Sequence, residues 1–222
     1  MTFSCQTHAF SRTARRYRVC GQYAYRYVAS KLRLDPIYRD LMARGGEFGH
    51  VVDIGCGRGQ LAALLLETGM ATRVTGLDWN RTHLDQAKAA LSGLRFEGHV
   101  RDLANDQSVP DADTIMTIDV LYQLTSAVQY RLLDASGRAA RSQWLVRTLD
   151  SGLGARSALA MAVERLTRRF LPSSGTLVNP LKVSDIGARI MEAGFAVETA
   201  PSFHGTPFAN VLLLGRRREV RS

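Results

Sequence analysis

The segment 50–66 constrains the fold more than any other part of the chain. An apolar run at 51–54 is followed by three alternating glycines, and an apolar helical pattern then covers 61–66. This order predicts a buried strand, a tight turn and a helix. Glycine is needed in such a turn because the backbone bends sharply and because a Cβ atom would collide with a closely bound ligand. We therefore expect a small molecule at Gly55, Gly57 and Gly59, with a purely structural turn as the alternative.

The spacing of the glycines separates two kinds of ligand. In the dinucleotide fingerprint G-x-G-x-x-G, a pyrophosphate sits on the helix N-terminus. Here the third glycine comes one residue early, and Gln60 holds its place. Asp53 also disfavours a pyrophosphate, since its carboxylate would lie beside phosphate charge, whereas a cationic amino-acid group would be attracted. The pattern Asp53-x-Gly55-x-Gly57-x-Gly59 resembles motif I of the class I S-adenosylmethionine (SAM) methyltransferases, in which Cys56 also belongs to the cofactor loop.

Acids also end the next two apolar runs. The run 73–78 predicts a second strand that ends at Asp78. An acid in this position accepts both ribose hydroxyls of a nucleoside cofactor, and the neighbouring Trp79 is expected to pack on the adenine. The resemblance further implies that Asp102, followed by Leu103, contacts the adenine amino group. For Asp102 an ordinary turn or N-cap acid stays the alternative.

The residues expected nearest the chemistry come later in the chain. A fourth predicted strand ends at Asp119, with Tyr122 shortly after it. In the family, the methyl group meets the acceptor there, because the carboxyl ends of parallel strands line the ligand crevice. We assign Asp119 to both the cofactor and the catalytic site and Tyr122 to the catalytic site, with a structural acid and an apolar wall as alternatives. Histidine is the side chain most often used as a general base, so His204 is a candidate for this role, although a lone loop histidine is more often passive.

Strands and helices alternate along the chain, which predicts an α/β fold. We expect a doubly wound, Rossmann-like sheet of about seven strands, the last of them antiparallel. The expected parts are an N-terminal helical cap at 1–48, a methyltransferase domain at 49–215 and a basic tail at 216–222. A helical insert at about 152–181 follows the fifth strand. For this insert a substrate lid, a dock for an anionic surface and an ordinary covering helix stay open.

Local signals predict where several helices begin. Asp35 is the expected N-cap of a helix that starts at Pro36, and Gly21 is the expected break between two helices. Ser184 is the expected N-cap of the last helix. Residues 1–13 are polar and are expected to be loosely attached.

Charge and cysteine content limit the cellular setting. The formal net charge is +9, and residues 1–49 hold nine Arg or Lys against three acids. Such charge suits RNA, an acidic carrier protein, an anionic membrane surface or simply a solvated face. The three cysteines match neither a zinc site nor a disulfide framework, so we expect no metal and a reduced, cytoplasmic setting. No stretch approaches the ~20 apolar residues of a membrane span.

A narrower resemblance concerns the acceptor. The segments 23–27, 31–36 and 205–213 resemble stand-alone methyltransferases that accompany bacterial aryl-polyene pigment clusters. This implies O- or C-methylation, in secondary metabolism, of an aromatic or polyketide-like acceptor, either a small molecule or bound to an acyl carrier protein. SAM would be the donor and S-adenosylhomocysteine (SAH) the product. The alternatives are an RNA methyltransferase and a non-catalytic SAM-binding protein. The sequence contains neither a motif for methylation of base amines nor a suitably placed cysteine, so the RNA alternative lacks support.

Overall fold

Seven strands and seven helices occur in the computed structural model, which describes residues 3–150, 178–204, 206 and 209–218. In chain order the strands are β1 (His50–Ile54), β2 (Arg73–Asp78), β3 (Phe96–Val100), β4 (Ala112–Ile118), β5 (Ala140–Leu149), β6 (Phe195–Pro201) and β7 (Asn210–Arg217). They form one sheet in the order β3-β2-β1-β4-β5-β7-β6. This mixed sheet confirms the predicted α/β class.

The direction of the strands also agrees with the prediction. β2 runs parallel to β1 and to β3, and β7 runs antiparallel to β5 and to β6. The antiparallel last strand is therefore confirmed. In the register of β1 and β2, Asp53 lies opposite Gly76. This pairing places a glycine of β2 directly beside the acid that precedes the glycine turn.

The helices in chain order are α1 (Phe3–Arg16), α2 (Gln22–Leu34), α3 (Pro36–Arg44), α4 (Gln60–Glu67), α5 (Arg81–Ala90), α6 (Ser126–Ala139) and α7 (Val183–Glu192). Short 3-10 helices cover Tyr17–Cys20 and Leu121–Gln123. Asp35 caps α3 by accepting a hydrogen bond from the Ile37 amide at 3.3 Å, as predicted. Gly21, with φ of 92°, separates the first 3-10 helix from α2, also as predicted.

Two local predictions are wrong. Ser184 is not an N-cap, because α7 begins at Val183 and its N-cap residue is Lys182, with no side-chain cap bond. The polar N-terminal segment is not loosely attached, because α1 already begins at Phe3. Arg12 and Arg16 of α1 both form ion pairs with Glu67 of α4. These long-range pairs fasten a helix whose own sequence offers little apolar surface.

Two compact units divide the chain. The first comprises Met1–Asp102 and Ala112–Thr114, and the second comprises Leu103–Asp111 and Ile115–Ser222. The first unit contains the predicted cap, α1 to α3, together with β1, the glycine turn and α4. Its core includes Val51, Ile54 and Leu64, all with no exposed surface. The strand, turn and helix predicted around the three glycines are thereby confirmed.

The core of the second unit is built around aromatic side chains. Trp144 of β5 and Phe195 of β6 are fully buried and meet edge to face, with ring centroids 6.0 Å apart. Arg217, which falls within the predicted basic tail, is the last residue of β7. Its guanidinium lies 4.3 Å from the Phe195 ring and donates to the Ala193 carbonyl at 2.9 Å. This arginine is therefore part of the folded sheet.

The predicted helical insert falls largely outside the described residues. Residues 152–177 are not described, and 178–181 form an irregular segment that leads into α7. Among the helices of the described chain, none is long and apolar enough to cross a membrane.

Candidate active site

The three glycines of the turn all adopt backbone conformations that other residues rarely reach. Their φ angles are 74° at Gly55, 55° at Gly57 and 71° at Gly59. A residue with a Cβ atom is strained in this left-handed region, so the turn requires glycine on conformational grounds. The amides of Gly55 and Cys56 donate to the Leu77 carbonyl at 2.7 and 3.1 Å, which fixes the start of the turn against the end of β2.

The space around the second and third of these glycines indicates a different role for each. A Cβ atom added to Gly57 would meet no atom of the described residues within 4 Å, so this side of the loop is open. A Cβ atom added to Gly59 would come within 3.0 Å of the Ala87 Cβ atom on α5. Gly57 therefore allows a ligand to approach the backbone, whereas Gly59 allows α5 to pack closely against the loop.

Asp53 is a buried acid with an unsatisfied oxygen. The residue is 3% exposed, and its Oδ2 atom has no hydrogen-bond partner among the described residues. Burial, and then the negative charge of Asp78, raise the pKa of this carboxyl to about 7. A buried carboxyl without a partner is costly, because water no longer solvates it. Such a group is well suited to receive a positively charged part of a ligand.

Asp78 ties the end of β2 to the glycine loop. Its Oδ2 atom accepts a hydrogen bond from the Gly57 amide at 2.8 Å, and its Oδ1 atom accepts one from the Asn80 amide at 2.8 Å. A carboxylate has about four acceptor positions, so each oxygen keeps one for a ligand hydroxyl. The next residue, Trp79, is 56% exposed. The structure thus brings Asp53, the glycine loop and Asp78 together.

Cys56 contributes its backbone to the loop, while its side chain points into the core. The residue is 4% exposed, and a Cβ atom added to Gly76 would lie 2.7 Å from the Cys56 Sγ atom. Burial, followed by the charges of Asp53 and Asp78, raises the pKa of this thiol well above its usual range. The thiol therefore stays protonated and is not a nucleophile. Sequence reasoning missed Gly76, although a glycine inside a strand is a known sign of close approach.

Asp102 and Leu103 lie at the boundary of the two units. Asp102 is exposed and is the last residue of the segment Met1–Asp102 of the first unit, whereas Leu103 is 7% exposed and is the first residue of the second unit. The Leu103 carbonyl accepts a hydrogen bond from the Gln107 side-chain amide at 2.6 Å. Their contacts with a cofactor stay predictions.

In the second unit, Asp119 forms a two-point ion pair that sequence reasoning missed. Arg147 Nε donates to Asp119 Oδ1 at 3.0 Å, and Arg147 Nη2 donates to Asp119 Oδ2. Arg147 is 2% exposed, and its carbonyl accepts from the Asp119 amide at 3.0 Å. Asp119 is also the one non-glycine residue of the described chain with positive φ, at 60°. The ion pair holds a strained backbone in place and favours a positioning role for this carboxylate.

Tyr122 and His204, also in the second unit, have very different surroundings. Tyr122 is 6% exposed and belongs to a small apolar cluster with Leu149, Val178 and Ala209. Its carbonyl accepts from the Asn179 amide at 2.8 Å. His204 is exposed, with its ring centroid 5.8 Å from that of Phe203. The catalytic roles of both residues stay predictions.

Part of the chain matches a known family model, and one curated relative is similar over most of the chain. Residues 51–143 match the model of the Methyltransferase domain family. A ubiquinone/menaquinone biosynthesis C-methyltransferase from Desulfotalea psychrophila is 27% identical over 186 residues, which cover 78% of this chain and 72% of the relative. The matched domain begins at β1 and includes the glycine loop, Asp78 and Asp119.

Solved structures share the fold at low identity. A chain from the complex of the Haloferax volcanii Trm112 methyltransferase activator with a methyltransferase has a TM-score of 0.66 at 15% identity, covering 86% of this chain and 92% of that chain. Magnesium protoporphyrin IX methyltransferase from Synechocystis PCC 6803 has a TM-score of 0.62 at 19% identity, covering 89% and 88%. These solved structures show that the chain shares the fold of methyltransferases, and the family match within that fold covers residues 51–143.

Proposed function

We propose that this chain transfers a methyl group from SAM to an aromatic or polyketide-like acceptor, either a small molecule or a group bound to a carrier. The observation that carries the proposal is the arrangement of Asp53, the glycine loop and Asp78 in the first unit. Among the described residues it combines an open loop backbone, a buried carboxylate oxygen without a hydrogen-bond partner and an acid with free acceptor positions. The Synechocystis methyltransferase of the same fold has been solved with bound SAH and with bound SAM, which supports SAM as the cofactor here.

The residues of the first unit suit the parts of SAM. Asp53 supplies negative charge for the cationic amino-acid end, and the open side of Gly57 lets the ligand reach the loop backbone. Asp78 accepts the ribose hydroxyls, Trp79 packs on the adenine ring, and Asp102 accepts from the adenine amino group. A cation beside Asp53 also compensates for the burial of its charge, so binding relieves an unfavourable feature of the free protein.

The main contribution of the protein to methyl transfer is to align the reactants. SAM supplies an already activated methyl group, so holding the acceptor in line with it accounts for most of the expected rate effect. We assign Asp119, oriented by Arg147, to positioning the acceptor, and Tyr122 to the wall of the acceptor site. His204 removes a proton from the acceptor hydroxyl. Methylation at oxygen and at an ortho carbon of a phenol both need this deprotonation, so one base serves either outcome.

An aromatic acceptor is favoured by the relatives as well as by the resemblance to pigment-cluster methyltransferases. The name of the Desulfotalea psychrophila relative specifies C-methylation in quinone biosynthesis. The acceptor is a free aromatic or polyketide-like molecule, or one carried on an acyl carrier protein. The excess of arginine in residues 1–49 suits an acidic carrier or an anionic membrane surface, and we place the enzyme in secondary metabolism of the aryl-polyene kind.

The proposal is tested by following labelled methyl groups. Wild-type protein is incubated with methyl-labelled SAM and a phenol, a quinol, an aryl-loaded acyl carrier protein or RNA. We expect transfer to an aromatic acceptor, loss of transfer in Asp78→Ala, and normal transfer in Asp85→Ala, which removes an exposed acid from α5. Transfer to RNA alone would contradict the acceptor class, and SAM binding without any transfer would indicate the non-catalytic alternative.

A further inference from the structure

The residue between the second and third glycines of the loop, Arg58, is in contact with the N-terminal helices. The Tyr17 hydroxyl donates to the Arg58 carbonyl at 2.7 Å, and Tyr17 is fully buried. The Arg58 guanidinium carbon lies 4.7 Å from the centre of the Tyr27 ring and 5.8 Å from that of Tyr23. The two tyrosine rings are themselves stacked, with centroids 6.5 Å apart. One loop residue is therefore held by both its main chain and its side chain.

Arg58 is also fastened to α5. Its Nε atom donates to Gln86 Oε1 at 2.7 Å, and the Gln86 carbonyl accepts from the Cys20 thiol at 3.3 Å. Arg58 has a charge, and its hydrogen bond to a fixed amide oxygen sets the direction of the guanidinium plane. The loop, the N-terminal helices and α5 thus meet at one side chain, all within the first unit.

The tyrosines of α2 that contact Arg58 lie apart from the buried residues that pack this helix against the core. This helix is buried through Ala24, Val28 and Leu32, which have no exposed surface. Tyr23, by contrast, is 70% exposed, and Tyr27 is half-buried. The buried face of α2, formed by Ala24, Val28 and Leu32, attaches the helix to the core. The other face, which carries Tyr23 and Tyr27, contacts the glycine loop.

We propose that Arg58 is a positioning residue that clamps the glycine loop to α2 through Tyr27 and Tyr23. The clamp keeps Gly57 and Gly59 in their left-handed conformation, and it makes α2 part of the cofactor site. The inference rests on the proposed function for its ligand, but the clamp itself is a property of the free protein. A cation–π contact at a partly exposed site shifts an equilibrium by about two- to fivefold.

Amide hydrogen exchange in the unliganded protein tests the clamp. The amides of Gly55, Cys56 and Gly57 are hydrogen-bonded, so they exchange only when the loop opens locally. We expect exchange of the peptide 55–59 to be about threefold faster in Tyr27→Leu, which removes the ring face. Tyr27→Phe keeps that face and should exchange like the wild type.

A matched control lies on the same helix. The Arg18 guanidinium lies 5.2 Å from the centre of the Tyr25 ring, a cation–π contact that does not involve the loop. Tyr25→Leu should leave exchange at 55–59 unchanged. In the Arg58→Met variant, the further substitution Tyr27→Leu should not accelerate exchange at 55–59 any more, because the two residues act through one contact. Equal exchange in Tyr27→Leu and the wild type, or equal acceleration by Tyr25→Leu, would overturn the clamp.

A second readout separates positioning from a general loss of stability. We expect Tyr27→Leu to raise KM for SAM about threefold while kcat stays unchanged, and Tyr27→Phe to restore the wild-type KM. A fall in kcat with unchanged KM would contradict the inference. If the wild type does not bind SAM, the proposed function fails, whereas the exchange result still decides whether the clamp exists.

Discussion

Replacement of Asp53 by asparagine should change the pH dependence of stability in a defined direction. The pKa of Asp53 is raised from its usual 3.8 to about 7 in the folded protein, first by burial and then by the charge of Asp78. The folded state therefore holds the proton more tightly than the unfolded state. For an acid this means that stability is lost as the pH rises from about 4 to about 7, because the carboxyl must ionise in a buried site.

The magnitude follows from the separation between the two pKa values. A difference of about three corresponds to about 4 kcal/mol when the carboxyl is fully ionised. About 1 kcal/mol of this cost is already present at pH 4.5, so about 3 kcal/mol accrues between pH 4.5 and pH 8. The asparagine side chain of the variant cannot ionise, and any packing cost of its amide is the same at every pH.

Urea unfolding of wild type and Asp53→Asn at several pH values measures this difference. We expect the stability of the variant relative to the wild type to rise by about 3 kcal/mol from pH 4.5 to pH 8. Asp85→Asn, which changes an exposed acid, is the matched control and should show no such trend. Parallel pH profiles for Asp53→Asn and the wild type would refute the reasoning that Asp53 is a buried acid whose Oδ2 atom has no partner among the described residues.

Three further predictions concern packing, the ion pair and the base. Gly76→Ala should lower the free energy of unfolding by about 2 kcal/mol, because its Cβ atom would lie 2.7 Å from Cys56 Sγ, and Cys56→Ala in the same chain should recover part of the loss in a thermal melt. Arg147→Met should lower the free energy of unfolding, measured with urea at neutral pH, by about 3 kcal/mol, because it removes both hydrogen bonds to the Asp119 carboxylate. In an Asp119→Asn background the same substitution should lower it clearly less. His204→Ala should lower turnover on the order of a hundredfold with SAM affinity nearly unchanged, and unchanged turnover would reduce His204 to an ordinary loop residue.

The parts of the fold and of the site that could be predicted from the sequence are those that depend on residues close together in the chain. Asp53 is the second-last residue of its apolar run, Asp78 is the last residue of its run and Asp119 directly follows its run, and the three-glycine turn needs only its own spacing to be recognised. Strand alternation with helices then led to the correct sheet class and to the antiparallel last strand. These predictions succeed because burial and turn geometry act over a few residues.

The features that sequence reasoning missed depend on partners far apart in the chain. Arg147 lies within a strand, and nothing near it indicates that its guanidinium is buried against Asp119. The N-terminal segment looked loosely attached because its anchor, Glu67, lies on α4. Arg58 stands at a position for which the glycine motif specifies no residue type, and its contact with Tyr27 becomes visible only when α2 is placed beside the loop. In each case a charged residue has a role that its local sequence does not show.

The central claim is that the glycine loop holds the amino-acid end of SAM and not the pyrophosphate of a dinucleotide. Isothermal titration of the unliganded protein with SAH and with NAD⁺ tests this directly, because the two ligands share an adenosine and differ in what meets Asp53 and the loop. We predict saturable binding of SAH that is lost in Asp78→Ala, and no binding of NAD⁺. Binding of NAD⁺ in preference to SAH, or SAH binding that Asp78→Ala leaves unchanged, would contradict the claim.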